Sequence, residues 1–122
     1  YIAEWLREKG LKVTPEQVTE SEVYARELKG KLAEHWGVDV ILSPTIASDP
    51  PKTGAFTSLP PAENFAAQAR WVPWTSLFNI AGTCAISLPW PVPGRVQPAA
   101  VHLGALTLED PELLALAGIL HV

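Results

Sequence analysis

A chain of 122 residues with 48% hydrophobic and 18% charged residues has the composition of one folded domain and not of a disordered segment. Its formal charge of -4 removes the electrostatic reason to expect nucleic acid or an anionic membrane as partner. The single cysteine, Cys84, excludes an internal disulfide and makes a cytoplasmic location the expectation.

The opening segment reads as a helix, with Ile2, Trp5 and Leu6 on one face and Gly10 placed to cap its end. A second helix follows, for which Thr19 and Glu22 have capping-box spacing. Ala25, Leu28, Leu32 and Trp36 form its apolar stripe, and Glu22/Arg26 and Glu27/Lys31 are i,i+4 pairs on its wet side. Gly37 ends it, and Val38 to Ser43 reads as a short strand stopped by Pro44. From Pro44 to Pro61 the composition is that of an irregular surface loop. Pro61 opens a helix to about Arg70, and a helical turn over Thr75 to Ile80 ends at Gly82. Strands are expected at Ala85 to Leu88 and Ala99 to Ala105, separated by a turn containing Pro89, Pro91 and Pro93. Asp110 then caps a final helix with Pro111 at its first position and Leu113, Leu114, Ala117 and Leu120 on its buried stripe. The order α-α-β-α-β-β-α is that of part of a layered α/β protein.

Charge is unevenly distributed along the chain. Tyr1 to Asp39 holds 14 of the 22 charged residues, whereas Trp71 to Leu108 holds only Arg95. So apolar a stretch is expected to be buried, against a larger parent or in an oligomer interface. No run is long and apolar enough to span a bilayer, and the first five residues lack the basic start and apolar stretch of a signal peptide. Methionine is absent, so the sequence is expected to be a piece of a longer chain.

No motif here carries a reaction by itself. His35, His102 and His121 are too scattered for a metal spacing, and Cys84 has no second thiol. His35 at a helix end reads as a dipole partner, and His102 as a hydrogen-bonded core or pocket residue. Asp39 before its strand is a candidate base that more simply solvates a turn. Ser43, Ser48, Ser58, Ser76 and Ser87 lie outside any sharp glycine-rich turn of the kind that exposes a nucleophile. Phosphate-loop and dinucleotide fingerprints are missing.

Three blocks, in order, resemble the end of the amidase signature family. The first, Trp36 to Thr45, is similar to the family's helix, acidic residue and strand ending in Pro-Thr, and a proline-rich stretch with Gly54 follows it. The second, Trp74 to Pro89, contains Phe78, Asn79, Gly82, Ala85, Ser87 and Pro89 at the spacing of the family's Phe-Asn-(apolar)-x-Gly-x-Pro-Ala-(apolar)-Ser-(apolar)-Pro block. The third, Pro98 to Leu103 with the Leu-rich helix from Asp110, is similar to its closing strand and helix. Cys84 stands where the family usually has proline, Ala100 where it has glycine and His102 where it has glutamine.

The resemblance implies the C-terminal portion of an α/β/α amidase-signature fold with a mixed β-sheet. Residues 1–37 form a helical lead-in, and residues 38–122 form the sheet-contributing core and final helix. It implies an amidase that hydrolyses carboxamide C–N bonds without metal or organic cofactor, through a Ser-Ser-Lys triad and an acyl-enzyme. Neither the Gly-Gly-Ser-Ser-Gly loop nor the catalytic lysine matches any position here, so no catalytic residue is assigned to Lys52 or to a serine. The chain by itself is expected to be inactive, contributing core and part of the substrate pocket. Thr75 and Phe78, on the turn before Asn79, are the substrate-binding residues the resemblance points to. The expected partners are a small-molecule amide, the rest of the amidase chain and a second copy in a homodimer, with no nucleic acid and no membrane. Two other readings compete. A noncatalytic interaction or dimerisation domain is one. The glutaminase subunit of the aminoacyl-tRNA amidotransferase is the other, and Val72 disfavours it because that subunit generally has an aspartate there.

Overall fold

The computed structural model describes residues 1–120, and His121 lies outside the described residues. Eight elements follow in chain order: α1 (Ile2–Gly10), α2 (Pro15–Trp36), β1 (Val40–Pro44), α3 (Pro61–Trp71), α4 (Thr75–Ala81), β2 (Ala85–Trp90), β3 (Ala99–Ala105) and α5 (Asp110–Leu120). The order departs from the expected α-α-β-α-β-β-α at one place, where the helical turn expected over Thr75 to Ile80 is a helix of its own, α4; the fold class is α/β.

The helix ends show which local signals govern. α2 starts at Thr14, not Thr19: the Thr14 hydroxyl accepts from the Gln17 N–H, the Gln17 side chain accepts from the Thr14 N–H, and Pro15 occupies the first turn. Thr19 lies inside the helix, where its hydroxyl donates back to the Pro15 carbonyl at 3.1 Å. Of the two expected ion pairs, Glu27–Lys31 forms at 2.8 Å; Glu22–Arg26 is not among the ion pairs of the described residues. Gly37 ends α2 at φ 63° and Gly82 ends α4 at φ 64°, the left-handed conformation that a Cβ disfavours. Gly10, by contrast, is inside α1, which closes with Leu11 in a right-handed conformation.

The three strands form one sheet of order β1-β3-β2, antiparallel at both pairings. β3 is central, and β1 and β2 each keep one unpaired edge. This explains why β1 runs through Pro44 and β2 through Pro89, past the stops expected at Ser43 and Leu88. On an edge strand the missing proline N–H can face outward and breaks no ladder bond. β1 also begins two residues later than expected, because Asp39 is used otherwise. Its carbonyl accepts from the Leu106 N–H at 2.8 Å, and its carboxylate accepts from the Thr107 hydroxyl. That tie fixes the turn leaving β3 and leaves Asp39 a structural acid, not a free base.

Alternation along the strands assigns the two faces. Leu103 and Ala105 of β3 and Leu88 of β2 cluster with Leu113 and Ala117 of α5, with Val40, Ile86 and Val101 at the margin. Leu114, expected on the buried stripe of α5, is 60% exposed, because the helix meets the sheet along the Leu113/Ala117 line. The opposite face is covered by α4, whose Phe78 lies over β3, and α2 packs behind α4. The described residues therefore form three layers, helix on sheet on helix. α1 reaches α3 through Trp5 and Phe65, whose rings lie 5.8 Å apart. The stretch from Trp71 to Leu108 is not buried throughout: Phe78, Leu103, Ala105 and Leu106 are, whereas Ile80, Trp90 and Val96 are exposed.

Candidate functional site

The site expectation falls on α4 and the sheet face beneath it. α4 is short because Gly82 turns the chain sharply into β2, with the Thr83 N–H donating to the Phe78 carbonyl at 3.1 Å. This turn brings Phe78 down onto β3. Gly104 makes the approach feasible, since a Cβ there would stand 2.1 Å from the Phe78 ring. The ring is 2% exposed and its centroid lies 5.1 Å from that of His102. Thr75, one helical turn earlier, is half-buried on α4.

On the sheet face that carries α4 the register lines up a polar row across all three strands, of which the β3 member lies under the helix and Ser87 is exposed. Ser43 of β1 and Ser87 of β2 both stand opposite His102 of β3. Directly opposite residues share a face, so the three side chains lie on the α4 side, with Thr45 just past β1. Thr45 Oγ1 and Ser87 Oγ share a hydrogen bond of 2.9 Å. Ser43 Oγ and His102 Nδ1 are buried without a hydrogen-bond partner, as is Thr83 Oγ1. The expectation that His102 is hydrogen-bonded is therefore corrected at Nδ1. The residue belongs to the core, being 4% exposed, and burial pushes its imidazole below the usual histidine range. A neutral imidazole with no carboxylate to orient it, out of hydrogen-bond contact with Ser43, is not a nucleophile–base pair. Chemically the row offers neutral hydrogen-bonding groups.

The remaining reactive side chains are committed elsewhere. The Cys84 thiol donates to the Leu108 carbonyl at 3.3 Å, and burial pushes it above the ordinary thiol range, away from thiolate reactivity. His35 packs edge-on against Trp36 at the end of α2. No group of three or more His, Cys, Asp or Glu among the described residues is placed to hold a metal ion. No helix among them is long and apolar enough to cross a membrane.

Two grooves open near this face. One, about 340 Å³, lies past the end of β1 and the start of β3, lined by Pro44, Ile46, Ser48 and Gln97 and by Arg95 and Asp49, which pair at 2.6 Å. The other, about 620 Å³ and mostly apolar, runs between α2 and α4 past Tyr24, Ala25 and Ile80. Sequence reasoning names Ser43, Ser87 and His102 singly but not as a row. Their spacing within each strand is visible in the sequence, whereas the register that aligns them is not.

The family model described as Amidase matches residues 7–114 of this chain. AmiB2 of Mycobacterium bovis and of Mycobacterium tuberculosis, proteins whose names class them as amidases, are each 30% identical over 80 residues, covering 66% of this chain and 17% of theirs. AmiC of Mycobacterium leprae, named likewise, is 31% identical over 93 residues, covering 75% of this chain and 20% of its own. The chain thus spans a fifth or less of the length of these relatives. No solved structure matches it significantly.

Proposed function

This chain belongs to the amidase family, and we propose that it is the closing segment of an amidase that hydrolyses carboxamide C–N bonds by a Ser-Ser-Lys mechanism, to which it contributes core and one side of the substrate pocket. The observation that carries the reading is the family match across 7–114, which includes every strand of the sheet and all of α4. In the proposed reaction a lysine and a bridging serine, both outside this chain, take the proton of a nucleophilic serine. That serine forms an ester with the acyl carbon as the C–N bond breaks, ammonia or an amine leaves with a proton, and water then cleaves the ester. Thr75, half-buried on α4, is the proposed contact to the acyl part of the substrate, and Phe78, buried beneath it against β3, shapes that side of the pocket from behind. The glutaminase reading gains no support from the position of Val72, a half-buried apolar residue at the end of α3 with no charge to hold an ammonium group.

The test compares the full-length protein with the chain 1–122 alone on a short and a bulky amide. The full-length protein is expected to release amine from at least one of them, and the isolated chain from neither. Turnover by the isolated chain that disappears on replacing one of its own serines would show that the nucleophile has been misplaced.

A further inference from the structure

Of the polar groups on the sheet face that carries α4, Thr45 and the exposed Ser87 satisfy one another. Ser43 Oγ and His102 Nδ1, opposite each other across the β1–β3 pairing, have no partner although both are buried. Leaving such atoms dry costs more than a made hydrogen bond returns. Two neighbouring orphans on one face are the usual setting of an internal water, which supplies a donor to one and an acceptor to the other. Phe78 stands over this spot. Its ring is tilted by 51° to the imidazole and rests where a Cβ on residue 104 would be. Gly104 is thus the floor of the ring's seat and His102 its wall, so the place of the imidazole decides the place of the ring.

We propose that His102, joined to Ser43 through one buried water, is a positioning residue that sets where Phe78 and α4 stand, and through them the size of acyl group the amide substrate can carry. This rests on the reading above, in which Thr75 lines the acyl side and the buried Phe78 supports it from beneath. At 4% exposure His102 acts through Phe78 and does not touch substrate itself. The groups facing it are Ser43 from β1, Ser87 from β2 and Phe78 from α4, none of them charged. The imidazole therefore stays neutral, and a neutral side chain with both a donor and an acceptor can replace it.

The experiment uses the full-length protein and its variants His102→Gln, His102→Leu and Ser43→Ala, measuring kcat and KM for a short and a bulky aliphatic amide together with the melting temperature. Leucine approximates the volume but cannot bond the water, whereas glutamine retains a neutral donor and acceptor. The ratio of kcat/KM between the two amides is expected to shift by about tenfold in His102→Leu, in the same direction in Ser43→Ala, and to return towards the wild-type value in His102→Gln. If His102→Leu does not fold, the milder Ser43→Ala carries the test. An unchanged ratio in variants that merely melt earlier makes His102 ordinary core and overturns the positioning role while leaving the amidase reading intact. Failure of the wild-type protein to cleave either amide overturns that reading and this inference with it.

Discussion

At the scale of single residues, Gly104 and His102 show how one strand accommodates a helix that lies almost upon it. Gly104 lets the Phe78 ring reach the backbone, and His102 fills the space beside it as a neutral side chain. The neutrality has a measurable sign. Burial lowers the imidazole pKa in the folded state, whereas the unfolded chain titrates near about 6.5. Below that value the unfolded chain binds a proton that the folded one refuses, so the His102 contribution is intact above about pH 6.5 and diminishes as the pH falls, until the folded-state value is passed. The melting temperature of the protein is therefore expected to drop further between about pH 8 and pH 5 than that of His102→Gln. Carboxylates titrating in the same window affect both proteins alike. Parallel declines in the two would assign the acid sensitivity to those other groups.

Among the elements, α2 is the longest and the most dependent on its own ends, since only Leu28 along its 22 residues is buried. Its ends are held by the Thr14–Gln17 box and by Gly37, and the exposed Glu27–Lys31 pair adds little. Removing the cap is thus expected to matter and removing the internal threonine is not. In urea denaturation Thr14→Ala should lose about 1 kcal/mol, and Thr19→Ala should stay within about 0.5 kcal/mol of the parent. The reverse ranking would mean that α2 starts where Thr19 and Glu22 suggest. The edge strands obey the complementary rule that a proline is tolerated on the outer rim of a sheet. Pro44 and Pro89 lie within β1 and β2 without breaking the pairing to β3.

At the largest scale, the decisive feature of the described residues is a three-stranded sheet with both outer edges open. β1 and β2 leave outer edges unpaired, Leu42 on β1 is 66% exposed and Trp90 on β2 is 42% exposed. Edges of this kind recruit further strands, from elsewhere in the protein or from another copy, and the two prolines only partly blunt them. The isolated chain 1–122 is accordingly expected to self-associate as its concentration rises, or to unfold broadly when dilute. Sedimentation and thermal melts decide this. A monomer of constant mass over the whole concentration range, with a single sharp transition, would mean that the three layers are sufficient by themselves.

The sequence by itself determined the order of the elements, the two glycine stops at Gly37 and Gly82, the α/β class and the amidase family, because each depends on short-range patterns: periodicity, turn chemistry and a spaced block of residues. It misplaced the start of α2 at Thr19 and overlooked the Thr14–Gln17 box, which with Pro15 in the first turn caps the helix five residues earlier. It also ended both edge strands too early, since a proline stops a strand only where its N–H would have to donate to a neighbouring strand. The candidate site was half legible. Phe78, Thr75 and His102 could each be singled out along the chain, but their relation could not. Only the tertiary structure decided that Ser43, His102 and Ser87 form one row and that Phe78 lies over Gly104. Register and layer packing depend on residues about sixty positions apart meeting across a sheet, and a slip of one residue would have turned that polar row to the other face.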